Sequence, residues 1–458
     1  MWGENERAAA QRFASGMRVM SLSTAPPRTP NLPPMAQTNT PVGPENPKWT
    51  DWRWQMQNRI HTVEALEKWI DPTPDERAAI EETRDVFRWN VTPYYARLMD
   101  PSDPSCPIRR QVVPTMDELG PDLVDGFDPL DETGHSPVKN LIHNYEDRVA
   151  FCVTAECAIY CRYCLRKRMV GDANFFMRTD EHQAAIDYIA EHDEIRDVLL
   201  TGGDPLTFNE DNLEWLLSRL RAIDHVELIR FGSRMPVKLP YRITESLCDL
   251  LARHHPIWVN THFNHPRELT DEAAAAVDRL KRAGVPVGNQ TVLLRGINDD
   301  PETMKALNEG LVRMRVRPYY LYQAQVIGGT AHLRTPIEVG MHIMRRLRGR
   351  TSGFAIPTYV LDTPHGKVPL NRSYVRGRAG AYVIMETYDG TLWAEPNPVP
   401  EDRELPLQLP RVERPDDVDT IPLDRSLDAD SRRRPAEASG VPVGEGSGAN
   451  EAAVRRAS

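Results

Sequence analysis

The sequence predicts an α/β fold: a partial (β/α)6-type barrel with an N-terminal helical extension and disordered termini. Three observations predict it. Seven β-rich runs alternate with helix-length polar–apolar segments between Arg148 and Leu361. The runs are nearly continuous in apolar residues, as strands covered by helices must be. Both ends of the chain lack any apolar period. A length of 458 residues suits one large barrel with extensions, or up to three domains at roughly 150 residues each.

Taken in order, residues 1–47 (STAPPRTPNLPPMAQTNTPVGPENP and the residues before it) are read as a disordered lead. Residues 48–140 are read as a helical region and connection. Helices are expected over Trp52–Trp69 and Pro74–Phe87, followed by an irregular stretch from Pro114 to Asn140. The barrel is assigned to 141–375. Its expected strands are Val149–Thr154, Val198–Thr201, Val226–Gly232, Ile257–His262, Val285–Leu294, Val316–Tyr322 and Phe354–Leu361. Helices are expected between them over Asp180–Glu191, Asn209–Ala222, Thr244–Arg253, Thr270–Arg282, Pro301–Met314 and Pro336–Arg348. The last carries Thr335 at its N-cap, Pro336 at N1 and Glu338 at N3, which reads as a capping box. A C-terminal extension over 376–410 and a disordered tail over 411–458 complete the chain.

Charge and cysteine usage narrow the function. Lys plus Arg number 56 against 66 Asp plus Glu, a net −10 that argues against a nucleic-acid partner. No apolar run approaches a membrane span, and the charged N-terminus lacks the apolar core of a secretory leader. The expected setting is cytoplasmic and reducing, where clustered cysteines serve as metal ligands or catalysts more often than as disulfides. Three of the six cysteines fall within eight residues; Cys106, Cys152 and Cys248 carry no assigned task.

That cluster is Cys157-Ala-Ile-Tyr-Cys161-Arg-Tyr-Cys164, directly after the first barrel strand and so at the C-terminal face, where barrel chemistry sits. Three thiolates can hold three irons of a [4Fe–4S] cluster and leave the fourth open to a ligand. A structural zinc would need a fourth ligand, and the residues after Cys164 (LRKRMVGDANFF) offer no Cys or His. The second signal is Thr201-Gly202-Gly203-Asp204-Pro205 at a strand end, where the glycines permit a close backbone approach and Asp204 can accept from an ammonium. The third is Lys367, in Asp362-Thr-Pro-His-Gly-Lys367, just beyond the last strand. A lysine there can form a Schiff base with pyridoxal phosphate (PLP).

The cysteine motif resembles that of the radical S-adenosylmethionine (SAM) enzymes. All three features in this order resemble the lysine 2,3-aminomutases and their relatives, over about Asp128 to Tyr374. Further matching segments are Tyr145-Glu-Asp-Arg148, Gly232-Ser233-Arg234, Asn260-Thr-His262-Phe-Asn264-His265-Pro266 and Gly288-Asn289-Gln290. The resemblance implies an isomerase that moves the α-amino group of an amino acid to Cβ. SAM binds the open iron and yields a 5′-deoxyadenosyl radical, and PLP carries the migrating nitrogen. It implies Lys367 as the Schiff-base lysine, Arg148 and Tyr145 in the PLP site, and Gly202, Gly203, Asp204, His262 and Gln290 toward SAM. Arg166 would pair with the substrate carboxylate, a role its guanidinium fork suits. The implied partners are a small-molecule amino acid and an electron donor such as flavodoxin or ferredoxin; a homo-oligomer is left open.

Departures from the family pattern bear on substrate. Lysine-specific members place two aspartates around the side-chain ammonium; one corresponds to Asp362, but the other falls on Gln325. One carboxylate plus one amide suits a guanidinium. The expected substrate is therefore L-arginine, giving β-arginine, ahead of the alternative, L-lysine; glutamate or a protein lysine ranks lower. The stretch from Asp362 to Lys367 is shorter than the family's, Asn144 replaces an arginine near the PLP phosphate, and no cysteine follows Cys248, so no structural zinc is expected.

Overall fold

The computed structural model describes residues 43–84, 86–120, 126–399, 404–415 and 418–420. A nine-stranded sheet runs in sequential order: β1 (Leu141–Tyr145), β2 (Arg148–Thr154), β3 (Asp197–Gly202), β4 (Leu228–Gly232), β5 (Ile257–Thr261), β6 (Val287–Leu293), β7 (Arg317–Gln323), β8 (Thr358–Thr363) and β9 (Gly366–Pro369). Strands β2 to β8 are parallel, as expected; antiparallel hairpins close each end, β1 on β2 and β9 on β8. All seven expected strands form. The hairpin partners β1 and β9 were not foreseen, and Lys367 sits in β9 rather than in a turn.

Preceding the barrel are α1 (Trp52–Gln57), α2 (Val63–Leu66), α3 (Pro74–Glu82) and α4 (Pro93–Ala96). The long helix expected over Trp52–Trp69 is thus broken in two. Thr62 caps α2 by accepting from the Ala65 N–H, and Ile60 pairs with Val91 in an isolated bridge. In α3, Thr73 and Glu76 form a capping box around Pro74. The crossover helices are α5 (Thr179–Glu191), α6 (Glu210–Arg221), a short α7 (Met235–Lys238), α8 (Glu245–Arg253), α9 (Asp271–Arg282), α10 (Pro301–Arg313) and α11 (Ile337–Leu347).

Their sequences explain them. Asn209, Thr244, Thr270 and Asp300 each accept a backbone N–H at a helix start. In α9, acids fill the first turn and Arg279, Lys281 and Arg282 the last, complementing the helix dipole. Alternate strand residues Val198, Leu200, Ile229, Phe231, Ile257 and Val259 are wholly buried, as are Leu213, Leu217, Leu251, Val277 and Leu280 on the covering helices. This shell of core leaves the C-terminal strand ends free to carry polar groups.

A separate four-stranded sheet follows: β10 (Val375–Ala379), β11 (Tyr382–Glu386), β12 (Leu392–Pro396) and β13 (Asp419–Thr420). It corrects two expectations. Asn397 Oδ1, not Thr335, accepts from the Ile337 N–H at 2.9 Å, so α11 starts one residue late with Pro336 at its N-cap. Glu338 turns instead to Arg378 and Asn397. The expected tail over 411–458 contributes β13 and a bridge from Arg411 to Arg378. Its remainder lies for the most part outside the described residues. So does the expected lead over 1–47, of which 43–47 form turns.

Candidate active site

Cys157 lies three residues past the end of β2. The Gly202–Asp204 segment is laced onto the chain leading to it: Gly203 N–H donates to the Thr154 carbonyl at 2.5 Å and Asp204 N–H to the Glu156 carbonyl at 2.7 Å. Gly202 has φ +117°, and a Cβ on either glycine would strike the Thr154 or Glu156 carbonyl oxygen. The close approach these glycines permit is therefore to the chain's own backbone. The Asp204 carboxylate accepts from Ser233 Oγ (2.7 Å), Arg234 N–H (2.8 Å) and Leu206 N–H (3.1 Å). It ties the loops after β3 and β4 together while burial pushes its carboxyl up.

The three cysteines of the loop act on one another electrostatically, and their environments differ. Burial raises Cys157 and Cys164, the latter to about 11. Burial also opposes ionisation of Cys161, yet Lys238 and Arg234 outweigh it and bring that thiol down to about 7. Lys238 Nζ donates to Cys161 Sγ at 2.6 Å and Arg234 Nη1 at 3.3 Å. Among the described residues, no three Cys, His, Asp or Glu side chains converge on a point as one metal ion would require. A cluster makes no such demand, because each cysteine takes its own iron.

Arg234 organises this end of the barrel. It donates to the His262 carbonyl (2.8 Å), Glu268 Oε1 (2.7 Å) and Gln111 Oε1 (3.3 Å), and to Tyr163 Oη. The Tyr163 ring stacks on His262, centroids 5.7 Å apart, with Tyr163 Oη 3.1 Å from His262 Nε2. Burial, Arg234 and Lys238 keep the His262 imidazole neutral.

The cysteine loop is anchored from the N-terminal region. Glu118, fully buried, accepts from Arg162 Nε (2.8 Å) and Nη2 (2.6 Å) and from Lys167 Nζ (2.8 Å). Burial disfavours the Glu118 anion, but the two cations hold it down at about 2. Glu132 likewise grips Arg166 through Nε (3.1 Å) and Nη2 (2.7 Å), while Arg166 Nη1 reaches Thr201 Oγ1 at 3.2 Å.

A second group gathers where the sheet's two ends meet. Lys367 N–H on β9 donates to Tyr145 Oη on β1 at 2.7 Å, linking strands 222 residues apart. Arg148 lies 4.2 Å over the Tyr145 ring. Lys367 Nζ sits 2.9 Å from Asp362 Oδ1 and 5.9 Å from the ring centroids of Tyr145 and Tyr322. Burial works against the ammonium, but Asp362 and these phenols more than offset it, so Lys367 is raised. Gln325 Nε2 donates to the Asp362 carbonyl at 3.0 Å, leaving Oε1 as an acceptor. Gln290 Nε2 reaches Tyr322 Oη at 3.4 Å.

The residues read from the sequence thus fall into a cysteine group (Cys157, Cys161, Cys164, Gly202, Gly203, Asp204, His262), a lysine group (Lys367, Tyr145, Arg148, Asp362, Gln325, Gln290) and Arg166. Sequence reasoning missed Glu118, Glu132, Arg162, Lys167, Tyr163, Lys238, Glu268 and Tyr322. Only Lys238 carried a local signal, as a lysine in the otherwise apolar Met235-Pro236-Val237-Lys238-Leu239-Pro240.

Residues 151–307 match the radical SAM superfamily, and 344–428 match a family described as lysine-2,3-aminomutase. The chain is 48 % identical over 353 residues to L-lysine 2,3-aminomutase of Fusobacterium nucleatum, covering 76 % of this chain and 83 % of that protein. It is 47 % identical over 352 residues to the enzyme of that name from Clostridium subterminale (76 % and 85 %). To glutamate 2,3-aminomutase of Clostridioides difficile it is 45 % identical over 344 residues (75 % and 81 %). The chain therefore belongs to the lysine 2,3-aminomutase family, radical SAM isomerases that work with a [4Fe–4S] cluster, S-adenosylmethionine and pyridoxal phosphate.

Proposed function

We propose that this aminomutase acts on L-lysine to give β-lysine, in place of the arginine expected from Gln325. The observation that carries a basic substrate over an acidic one is Asp362, an anion 2.9 Å from Lys367 Nζ at the end of β8. Asp362 favours a cationic side chain and repels that of glutamate. An ammonium has three donors, enough to use both the Asp362 carboxylate and the Gln325 Oε1 acceptor. The relatives named for lysine support this choice.

The donor sets fit the cofactors. Cys157, Cys161 and Cys164 would hold the cluster, with His262 toward SAM; Lys367, Tyr145 and Arg148 would hold PLP. Together these groups supply a carbon-centred radical and a carrier for the migrating nitrogen. An external one-electron donor of flavodoxin or ferredoxin type provides the electron.

The chain's own residues then have defined tasks. Lys367 Nζ holds its proton against the Asp362 carboxylate, which remains an anion when that proton is lost to water. Once Lys367 is neutral, Asp362 stands as counter-ion for the substrate's side-chain ammonium. Tyr145 fixes the Lys367 backbone. Arg166, oriented by Glu132 and Thr201, offers its remaining N–H groups to the substrate carboxylate. His262 stays neutral, and Asp204 keeps the SAM-side loops in register.

The test is parallel turnover of L-lysine, L-arginine and L-glutamate by anaerobically reconstituted enzyme with SAM, PLP and a reductant, read by mass spectrometry. The proposal expects lysine to turn over fastest. Faster turnover of arginine would restore the guanidinium reading and overturn this one.

A further inference from the structure

The buried cations around the cysteine loop differ in their counter-ions. Arg162 and Lys167 share Glu118, Arg166 has Glu132 and Arg234 has Glu268. Lys238 is buried, at 3 % exposure, yet among the described residues it makes no ion pair with a carboxylate. Its Nζ donates to the Ile159 carbonyl at 3.4 Å and to Cys161 Sγ at 2.6 Å. A buried ammonium is costly unless an anion faces it, so the site is built for a negative sulfur ligand.

Its placement is fixed by the fold. Lys238 ends α7, directly after the loop that Asp204 ties down through Ser233 and Arg234. Thr92 Oγ1 donates to the Lys238 carbonyl at 2.9 Å, docking α7 on the N-cap of α4. The side chain therefore approaches Cys161 from a backbone anchored on both sides, with Arg234 Nη1 as a second donor to the same sulfur.

We propose that Lys238 sets the reduction potential of the cluster, by donating a charged hydrogen bond to the Cys161 thiolate. A one-electron donor adds one negative charge to the cluster. A fixed positive charge and an N–H···S bond stabilise that reduced form more than the oxidised one, and so raise the potential. Lys238 moves no proton and breaks no bond; it is a positioning residue for the electron that cleaves SAM. The inference rests on the reading of Cys161 as a cluster ligand.

The experiment is a redox titration of the reconstituted full chain without SAM, followed by the electron paramagnetic resonance of the reduced cluster. Wild type, Lys238→Met, Lys238→Gln and Lys238→Arg are compared. Both neutral variants should shift the midpoint down by about 59 mV or more, tenfold in a one-electron equilibrium. Lys238→Arg should stay near wild type. Should Lys238→Met fail to fold, Lys238→Gln carries the comparison. Equal midpoints in the neutral variants and wild type, each with about four iron and four sulfide per chain, would overturn the proposal. Weakened SAM binding with an unchanged midpoint would place Lys238 on SAM and also overturn it. A Cys161→Ala chain that still holds a wild-type cluster would instead defeat the underlying ligand reading.

Discussion

In the proposed reaction the Lys367–Asp362 ion pair would serve two purposes. With no other cation present, Asp362 holds the lysine charged; with Lys367 neutral, it is free for a substrate cation. Lys367→Ala should abolish any PLP adduct trapped by borohydride reduction and seen as a mass increment, while leaving iron content unchanged. Asp362→Asn should raise the KM for lysine about tenfold or more, the loss of one charge-assisted hydrogen bond. An unchanged KM would remove Asp362 from the substrate site. At this scale much of the site was legible. The spacing of Cys157, Cys161 and Cys164 is set by local chemistry, so it survives in the linear sequence. Glu118 was not legible, because its meaning depends on Arg162 and Lys167, more than 40 residues away. Gln325 does not settle the substrate by itself, since an amide at one pocket position suits an ammonium as well as a guanidinium.

Elements are held in place by contacts that sequence periodicity does not carry. The strands were readable because helices cover them and they run apolar, but the start of α11 was not. Asn397, 60 residues on, supplies the cap that Thr335 was expected to give. The anchor between the cysteine loop and the N-terminal region is the Glu118 network. Its folded-state value of about 2 lies below its ordinary 4.5. It therefore adds stability above pH 4.5 that is lost as pH falls toward 2. Glu118→Gln should cost about 3–5 kcal/mol at neutral pH by leaving buried cations uncompensated. It should also flatten the acid limb of the stability curve in denaturant titrations run at several pH values. Tyr145→Phe removes the acceptor that joins β1 to β9. It should cost about 1 kcal/mol and lower PLP occupancy, both readable from thermal unfolding and the cofactor's absorbance.

Across the whole molecule, the sheet's order places the two groups of functional residues. Cys157, Asp204 and His262 follow the ends of β2, β3 and β5, one side of the barrel mouth, while Lys367 and Tyr145 meet where the first and last strands approach. The second sheet braces this junction from outside, with His365 of the β8–β9 turn 2.8 Å from Asp419. Among the described residues no helix is long and apolar enough to cross a membrane. Within this frame the cations Arg166, Arg234 and Lys238 are largely buried, and Lys367 is half-buried against Asp362. The proposed reaction moves nitrogen from Cα to Cβ of lysine within one molecule. The direct measurement is nuclear magnetic resonance of the product formed from L-lysine labelled with 15N at the α-amino group. The account predicts β-lysine with the label wholly on Cβ. Label released to the medium as 15N-ammonia with unlabelled nitrogen on Cβ, or lysine returned unchanged while arginine reacts, would contradict it.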